Sequence, residues 1–195
     1  DRGLYMPETI RQLPASFYNE ITGMSLTTIA QTVARTYFGE DIPKRELDAI
    51  VADSLNFEIP LRQVEDNIWV LELFHGPTYA FKDVGARFMA RMLSHFVKQE
   101  QRQEVKVLVA TSGDTGSAVA NGFLGVEGIR VYVLYPSGKV SDIQEAQFTT
   151  LGQNILALEV DGTFDDCQAL VKNAFMDEEL NHRLSLTSAN SINVA

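Results

Sequence analysis

From Val105 onward the chain alternates between short apolar runs and segments of helical spacing, and this rhythm restricts the folds open to it. Val105 to Thr111 is a continuous apolar run of strand length, Ser112-Gly113-Asp114-Thr115-Gly116 a glycine-bearing turn, and Ser117 to Leu124 a helix rich in small residues. Ile129 to Tyr135 is the next predicted strand, Pro136 to Ser141 a loop, Asp142 to Leu151 a helix and Asn154 to Val160 a strand. Asp161-Gly162-Thr163 turns into a helix reaching Phe175; Asp177, Glu178 and Glu179 fill a polar turn, and Leu184 to Thr187 is a last short strand. Strands apolar on both sides and joined through helices predict an α/β fold, a parallel sheet with helices on both faces and right-handed crossovers. Ligands of such sheets bind beyond the carboxyl ends of the strands. The informative loops are therefore His75 to Lys82, Thr111 to Gly116, Pro136 to Ser141, and Ser188 to Asn193.

The front of the chain reads differently. Asp1 to Pro14 is irregular, with Leu4, Tyr5 and Met6 as a short apolar patch expected to lie against the body. After Ser25, Leu26, Ile29, Ala30, Val33 and Tyr37 keep helical spacing, and Gly39 stands where a C-terminal cap belongs. Asp41-Ile42-Pro43 opens a second helix with Leu47, Ile50, Val51 and Leu55 as its stripe. Ile59 to Val64 and Ile68 to Phe74 flank Glu65-Asp66-Asn67, a loop short enough for a β-hairpin. The expected division is a mostly helical region, 1–58, and an α/β domain, 59–195. With no starting methionine and a last element apparently cut short, the chain is expected to be the front portion of something longer.

The second arm of the hairpin leads through His75-Gly76-Pro77-Thr78 into a helix. Its apolar positions Phe81, Val84, Phe88, Met89, Met92, Leu93 and Phe96 recur at three- and four-residue spacing. Lys82 sits at the helix start, aligned on a wheel with Ala86, Met89 and Leu93, so its stem is expected against apolar neighbours and its ammonium at the positive end of the helix dipole. Both effects favour the neutral amine, which is the form that nucleophilic or Schiff-base chemistry uses. The plainer alternative is a first-turn lysine whose head reaches water. Arg87, Arg91 and Lys98 read as the solvated side of the same helix.

The formal charge of −10, with no basic stripe to offset it, argues against a nucleic-acid partner. No apolar run long enough to cross a membrane exists and the N-terminus lacks the layout of a signal peptide, so a cytoplasmic setting is expected. The single Cys167 reads as a small core residue, and His75, His95 and His182 lie far apart, so no metal-ligand spacing is visible. The Thr111 to Gly116 turn can aim backbone N–H groups at a carboxylate or phosphate. Its glycines fit neither the Walker loop nor the dinucleotide fingerprint, and they serve equally a tight strand-to-helix turn. Asp114 would repel an anion there unless it bonds to N–H groups or faces away. Ser188, Asn190, Ser191 and Asn193 cluster hydroxyls and amides at another strand end, where Ser188 or Asn190 can equally cap a helix. Lys139 can meet a phosphate or be an ordinary surface lysine.

Leu71 to Asp83, Ala110 to Ala118 and Ser188 to Asn193, in that order and at that spacing, resemble the threonine synthases of the long, bacterial and fungal type, pyridoxal-phosphate enzymes of fold type II. Asp1 to Pro7 is similar to the family's front region, and the resemblance covers about the first half of a family member. It implies that Lys82 carries pyridoxal 5'-phosphate as a Schiff base and then shuttles protons. The implied reaction takes O-phospho-L-homoserine, eliminates phosphate from the γ carbon and adds water at the β carbon to give threonine. By the same match, Thr111, Ser112, Gly113, Asp114 and Thr115 form the loop that receives the substrate carboxylate near the cofactor ring. Asp114 and Asn190 are the implied cofactor contacts beside Lys82, while Asn190, Asn193, Lys139 and Ser141 are candidates for the substrate phosphate or cofactor edge.

The family's glycine-rich cofactor-phosphate loop, and its hydroxyl residue near the pyridine nitrogen, are expected beyond Ala195. The chain alone is therefore expected to bind the cofactor weakly and to be inactive. The expected partner is a small phosphorylated amino acid, with no nucleic acid, membrane or metal, and the assembly a monomer or homodimer. Two alternatives stand beside this reading: a phospho-lyase of the same fold that releases a keto acid, and a noncatalytic anion-binding relative.

Overall fold

A sheet of four parallel strands forms the centre of the larger part of the computed structural model, which describes residues 7–100 and 104–189. The described chain divides between Asn56 and Phe57 into two compact units. The first contains α1 (Ala15–Glu20), a 3-10 turn (Ile21–Gly23), α2 (Leu26–Phe38) and α3 (Lys44–Ser54). Ser25 caps α2 by accepting from the Thr28 N–H at 3.1 Å, and Gly39 closes it by donating to the Arg35 carbonyl at 3.0 Å. Asp48 of α3 ties the two longer helices together: its backbone carbonyl accepts from Gln31 and its carboxylate from Arg35 and Lys44. Those two cations hold its carboxyl below the usual carboxylate range. Leu47 and Val51 are buried, as the stripe predicts, and so is Ile42 ahead of the helix, while Ile50 and Leu55 are only half-buried. The pair α1 and 3-10 turn has no counterpart in the sequence reading, because segments this short show no periodicity. The patch Leu4, Tyr5 and Met6 lies outside the described residues.

The second unit opens with the predicted hairpin, β1 (Leu61–Glu65) and β2 (Ile68–Leu71), antiparallel with Leu61 opposite Leu71. Asn67 turns it in the left-handed conformation (φ 63°) that asparagine tolerates. The second strand stops at Leu71 rather than at Phe74, and every residue of both strands is exposed.

Beyond the hairpin come α4 (Lys82–Gln99), β3 (Val105–Ala110), α5 (Asp114–Phe123), β4 (Ile129–Pro136), α6 (Asp142–Thr149), β5 (Ile155–Val160), α7 (Phe164–Met176), α8 (Glu178–Arg183) and β6 (Ser185–Ser188). All the sheet pairings are parallel, in line with the α/β expectation. Alternate strand residues face opposite layers. Val107, Val109, Val131 and Val133 pack with α4, α5 and α6 in the main core, whereas Leu108, Ala110, Tyr132 and Leu134 meet Cys167 and Val171 of α7. Where a polar turn was expected, Asp177 instead caps the short helix α8, accepting from the Leu180 N–H at 2.9 Å. Two further boundaries shift: Asp114 to Gly116 belong to the first turn of α5, not to the preceding loop, and α6 ends at Thr149.

The buried face of α4 corrects a second expectation. Asp83, Ala86, Arg87, Ala90, Met92 and Val97 are its buried residues, so Arg87 is not on the solvated side. The cause is close packing on α5, where a Cβ added at Gly122 would lie 3.1 Å from the Ala86 backbone. Small residues take the contact, and the larger Val84, Phe88, Met89 and Leu93 fall half-buried on its flanks, with Phe81 59% exposed. Arg87 is buried with its guanidinium 6.0 Å from the Phe57 ring centroid, and Arg91 donates to the Gly122 carbonyl at 2.6 Å.

The strand order fixes where a site can form. From β3 the chain proceeds outward through β4 to β5, then returns to place β6 on the other side of β3. The carboxyl ends of β3 and β6 thus flank the point at which the order reverses, the position where such sheets bind ligands.

Candidate active site

Lys82 is the first residue of α4, the helix that precedes β3 in the chain, and a helix that leads back to the start of a parallel strand has its N-terminus at the carboxyl edge of the sheet. The same edge receives the N-terminus of α5. Lys82 is half-buried, its Nζ 4.4 Å from the centroid of the Phe81 ring, and it makes no ion pair among the described residues. The full apolar enclosure expected from Ala86, Met89 and Leu93 is not present. The face that α4 buries is centred on Asp83, Ala86 and Ala90, which leaves Lys82 on its flank.

The turn before Lys82 is tightly tied. Asp83 is fully buried, and its two carboxylate oxygens accept from the Thr78 N–H at 2.8 Å and the Thr78 hydroxyl at 2.7 Å. A side chain at Gly76 would place its Cβ 2.5 Å from that carboxylate, so only glycine fits. Tyr79, between them, is left-handed at φ 58°. Upstream, His75 Nε2 lies 2.7 Å from the Glu72 carboxylate and its ring stacks on Phe74.

Thr111 organises the turn after β3. Its hydroxyl is buried, accepts from the Gly113 N–H at 3.0 Å and the Gly116 N–H at 2.8 Å, and lies 3.1 Å from the Gly113 carbonyl. The side chain therefore braces the turn from within. Both glycines have steric reasons. Gly113 adopts φ 146°, ψ −94°, a region for glycine alone, and a Cβ at Gly116 would lie 2.5 Å from the Thr111 methyl. Ser112 and Asp114 are exposed and Thr115 half-buried, at the end of a helix where amides lack intrahelical acceptors.

Asp114, in the first turn of α5, and Ser141, the N-cap of α6, are brought together by Gln144. The Gln144 amide donates to Asp114 Oδ1, and its oxygen accepts from the Ser141 hydroxyl at 2.9 Å. The same side chain packs on Gly113, where a Cβ would lie 2.6 Å from it. The aspartate charge that complicated an anion site is thereby turned toward α6. The one sequence signal for Gln144 is that Ser141-x-x-Gln144 has the form of a capping box, and the pairing of Thr78 with Asp83 carries no comparable signal. Lys139 is exposed and its charge is felt at Asp166, whose carboxyl is held low first by the Thr163 N–H and hydroxyl. Asn190 and Asn193 lie outside the described residues. Among the described residues there is no group of His, Cys, Asp and Glu able to hold a metal, and no helix long and apolar enough to cross a membrane.

A family model described as pyridoxal-phosphate dependent enzyme matches residues 53–194, and one described as threonine synthase N terminus matches residues 1–55. The chain is 48% identical over 195 residues to the threonine synthase of Haemophilus influenzae, covering all of this chain and 45% of that protein. It is 39% identical over 214 residues to the Saccharomyces cerevisiae threonine synthase, covering 42% of it. Among solved structures, the crystal structure of threonine synthase from Escherichia coli superimposes with a TM-score of 0.87 at 45% identity, over 100% of this chain and 45% of that one. The X-ray structure of PLP-bound threonine synthase from Brucella melitensis gives 0.91 at 39% identity, over 98% and 42%. The chain thus spans less than half the length of these relatives.

The residues present suit the cofactor that the family model names. Lys82 offers a primary amine that has no ionic partner among the described residues, suited to an aldehyde, and Ser112, Thr115 and the α5 amides offer donors for anionic oxygens. The parallel sheet, the lysine at its carboxyl edge and a family match over more than half of the sequence agree, and the chain belongs to the pyridoxal-phosphate dependent enzymes.

Proposed function

We propose that the chain is the N-terminal portion of a threonine synthase, a lyase that converts O-phospho-L-homoserine and water to L-threonine and phosphate. The observation that carries this reading is that Lys82 and the turn of residues 111–115 share one edge of the sheet, beside its topological switch point, in a chain similar along its whole length to threonine synthases. When bound, pyridoxal 5'-phosphate supplies the electron sink for chemistry at the substrate α and β carbons. Lys82 holds it through its amine and, once displaced, carries protons between substrate carbons. Thr111, Ser112, Gly113, Asp114 and Thr115 form the loop that receives the substrate carboxylate, on a turn that the Thr111 hydroxyl braces. Asp114 and Asn190 border the cofactor, and Lys139, Ser141, Asn190 and Asn193 serve the substrate phosphate or the cofactor edge.

The regions 1–58 and 59–195 are proposed as the two domains, a division supported by the break between Asn56 and Phe57 and by the two family matches. A cytoplasmic enzyme, monomeric or homodimeric, is the accompanying proposal. The 195 residues alone are proposed to bind the cofactor weakly and to lack turnover. The test is product analysis of the full-length protein with O-phospho-L-homoserine. Threonine and phosphate in equal amounts, with Lys82→Ala slowing formation at least about a hundredfold, support the synthase. Release of 2-oxobutyrate and ammonia instead assigns the phospho-lyase, and no turnover assigns the noncatalytic relative.

A further inference from the structure

We propose that Asp83 is a positioning residue for Lys82, its buried carboxylate holding the turn of residues 76–80 in the one form from which α4 places the reactive amine; this rests on the cofactor-attachment role given to Lys82 above. A fully buried carboxylate is costly unless its oxygens are hydrogen-bonded, and a helix could fill that position with an apolar residue at less cost. Here both oxygens are satisfied by one residue, Thr78, through its N–H and its hydroxyl. Room for the carboxylate comes from the missing side chain of Gly76.

Tyr79 shows what the clamp holds. A tyrosine at φ 58° is in a conformation that, unlike glycine or asparagine, it adopts unfavourably, and it persists only where the surroundings dictate it. Asp83 grips both flanks of Tyr79: its side chain takes Thr78, and its own N–H donates to the Ala80 carbonyl at 3.0 Å. Tyr79 is 78% exposed, so side-chain packing does not hold it there. From Ala80 only Phe81 intervenes before Lys82. The clamp therefore sets the first turn of α4, and a displacement of about 1 Å at a reacting group is enough to slow chemistry up to about a hundredfold.

The test compares Asp83→Ala, Asp83→Asn and Thr78→Val in the full-length protein, with Val171→Ala in α7 as a variant destabilised on the opposite face of the sheet. Two readouts are taken. The first is hydrogen exchange of the amides of residues 78–82 without cofactor. The second is the rate at which pyridoxal phosphate becomes fixed to Lys82, read by mass after borohydride: the amine condenses with the aldehyde, one water leaves, and borohydride supplies the hydride that makes the link permanent. Asp83→Ala is expected to raise exchange across residues 78–82 and slow attachment by about tenfold or more. Thr78→Val shifts both in the same direction by less. Asp83→Asn stays within a few-fold of the unsubstituted protein, because the Thr78 hydroxyl can rotate to accept from the new amide while the N–H keeps its oxygen.

Attachment at the normal rate in Asp83→Ala overturns the proposal. So does an equal slowing in Val171→Ala matched for melting temperature, since the effect is then one of stability alone. Failure of the unsubstituted protein to label at Lys82 sinks the functional reading and the positioning role with it. Altered exchange in Asp83→Ala together with normal labelling refutes positioning while leaving the functional reading intact.

Discussion

At the scale of single residues, the two turns that border the site are built by buried polar groups that satisfy each other. Thr111 fills the inside of the β3 turn with three contacts from one hydroxyl, and Gln144 closes it from outside against Gly113. Gly113→Ala would meet both a forbidden φ and the Gln144 side chain, and urea unfolding should show a loss of about 2–4 kcal/mol. Gln144→Glu sets a carboxylate against Asp114; in the full-length protein the expected outcome is a raised KM for the proposed substrate with a smaller change in kcat, read from steady-state kinetics. Cys167 is fully buried in α7, and burial, with the Asp166 charge adding, pushes its thiol above the ordinary value of 9.0. The folded state thus holds that proton more tightly than the unfolded state. Its contribution to stability is complete below pH 9.0 and is lost as pH rises through the folded value. Replacing Cys167 by Ala should flatten the alkaline limb of a stability-against-pH curve, although the lost packing lowers the plateau.

Helices carry the next level. Among the described residues a full capping box stands at α7, where Thr163 and Asp166 satisfy each other's N–H groups, and Thr163→Ala should cost about 1 kcal/mol in thermal unfolding. Asp166 and Glu104 are both held below the usual carboxylate range, the first by Thr163 and the second by its hydrogen bond to Lys106. Groups lowered in this way stabilise the fold above their unfolded values and cease to do so as pH falls through the folded ones, so acid unfolding should begin below about pH 4. The pairing of α4 with α5 explains why helical spacing located α4 but misread its inner face. Periodicity reports which residues are apolar. It does not report that the neighbouring helix offers Gly122 and alanines, against which small residues pack most closely and Asp83 and Arg87 are drawn in.

At the scale of the molecule, the hairpin is the least satisfied part. Leu61, Val64, Ile68, Trp69, Val70 and Leu71 are all exposed, on both faces of two strands, and such a patch on a lone chain drives association. The 195-residue chain should self-associate on concentration in sedimentation runs, with Trp69, its sole tryptophan, giving the emission of solvated indole at low concentration. Trp69→Lys with Leu71→Lys should restore a monomer; association unchanged by that pair would locate the contact elsewhere. The α/β class, the four parallel strands, the hairpin and the helix that Lys82 opens were all legible in the chain itself, because they depend on apolar spacing and turn residues that act over a few positions. Lys82, Ser112, Asp114 and Thr115 could be named for the same reason, each standing at a strand-to-helix junction. What only the tertiary structure decided is how those junctions are held: that Thr111 braces its turn from within, that Gln144 engages Asp114, and that Asp83 grips the turn before Lys82. Each depends on hydrogen-bond partners and close approaches that arise only when separate segments pack, and no spacing of residues along the chain encodes which buried oxygen meets which N–H.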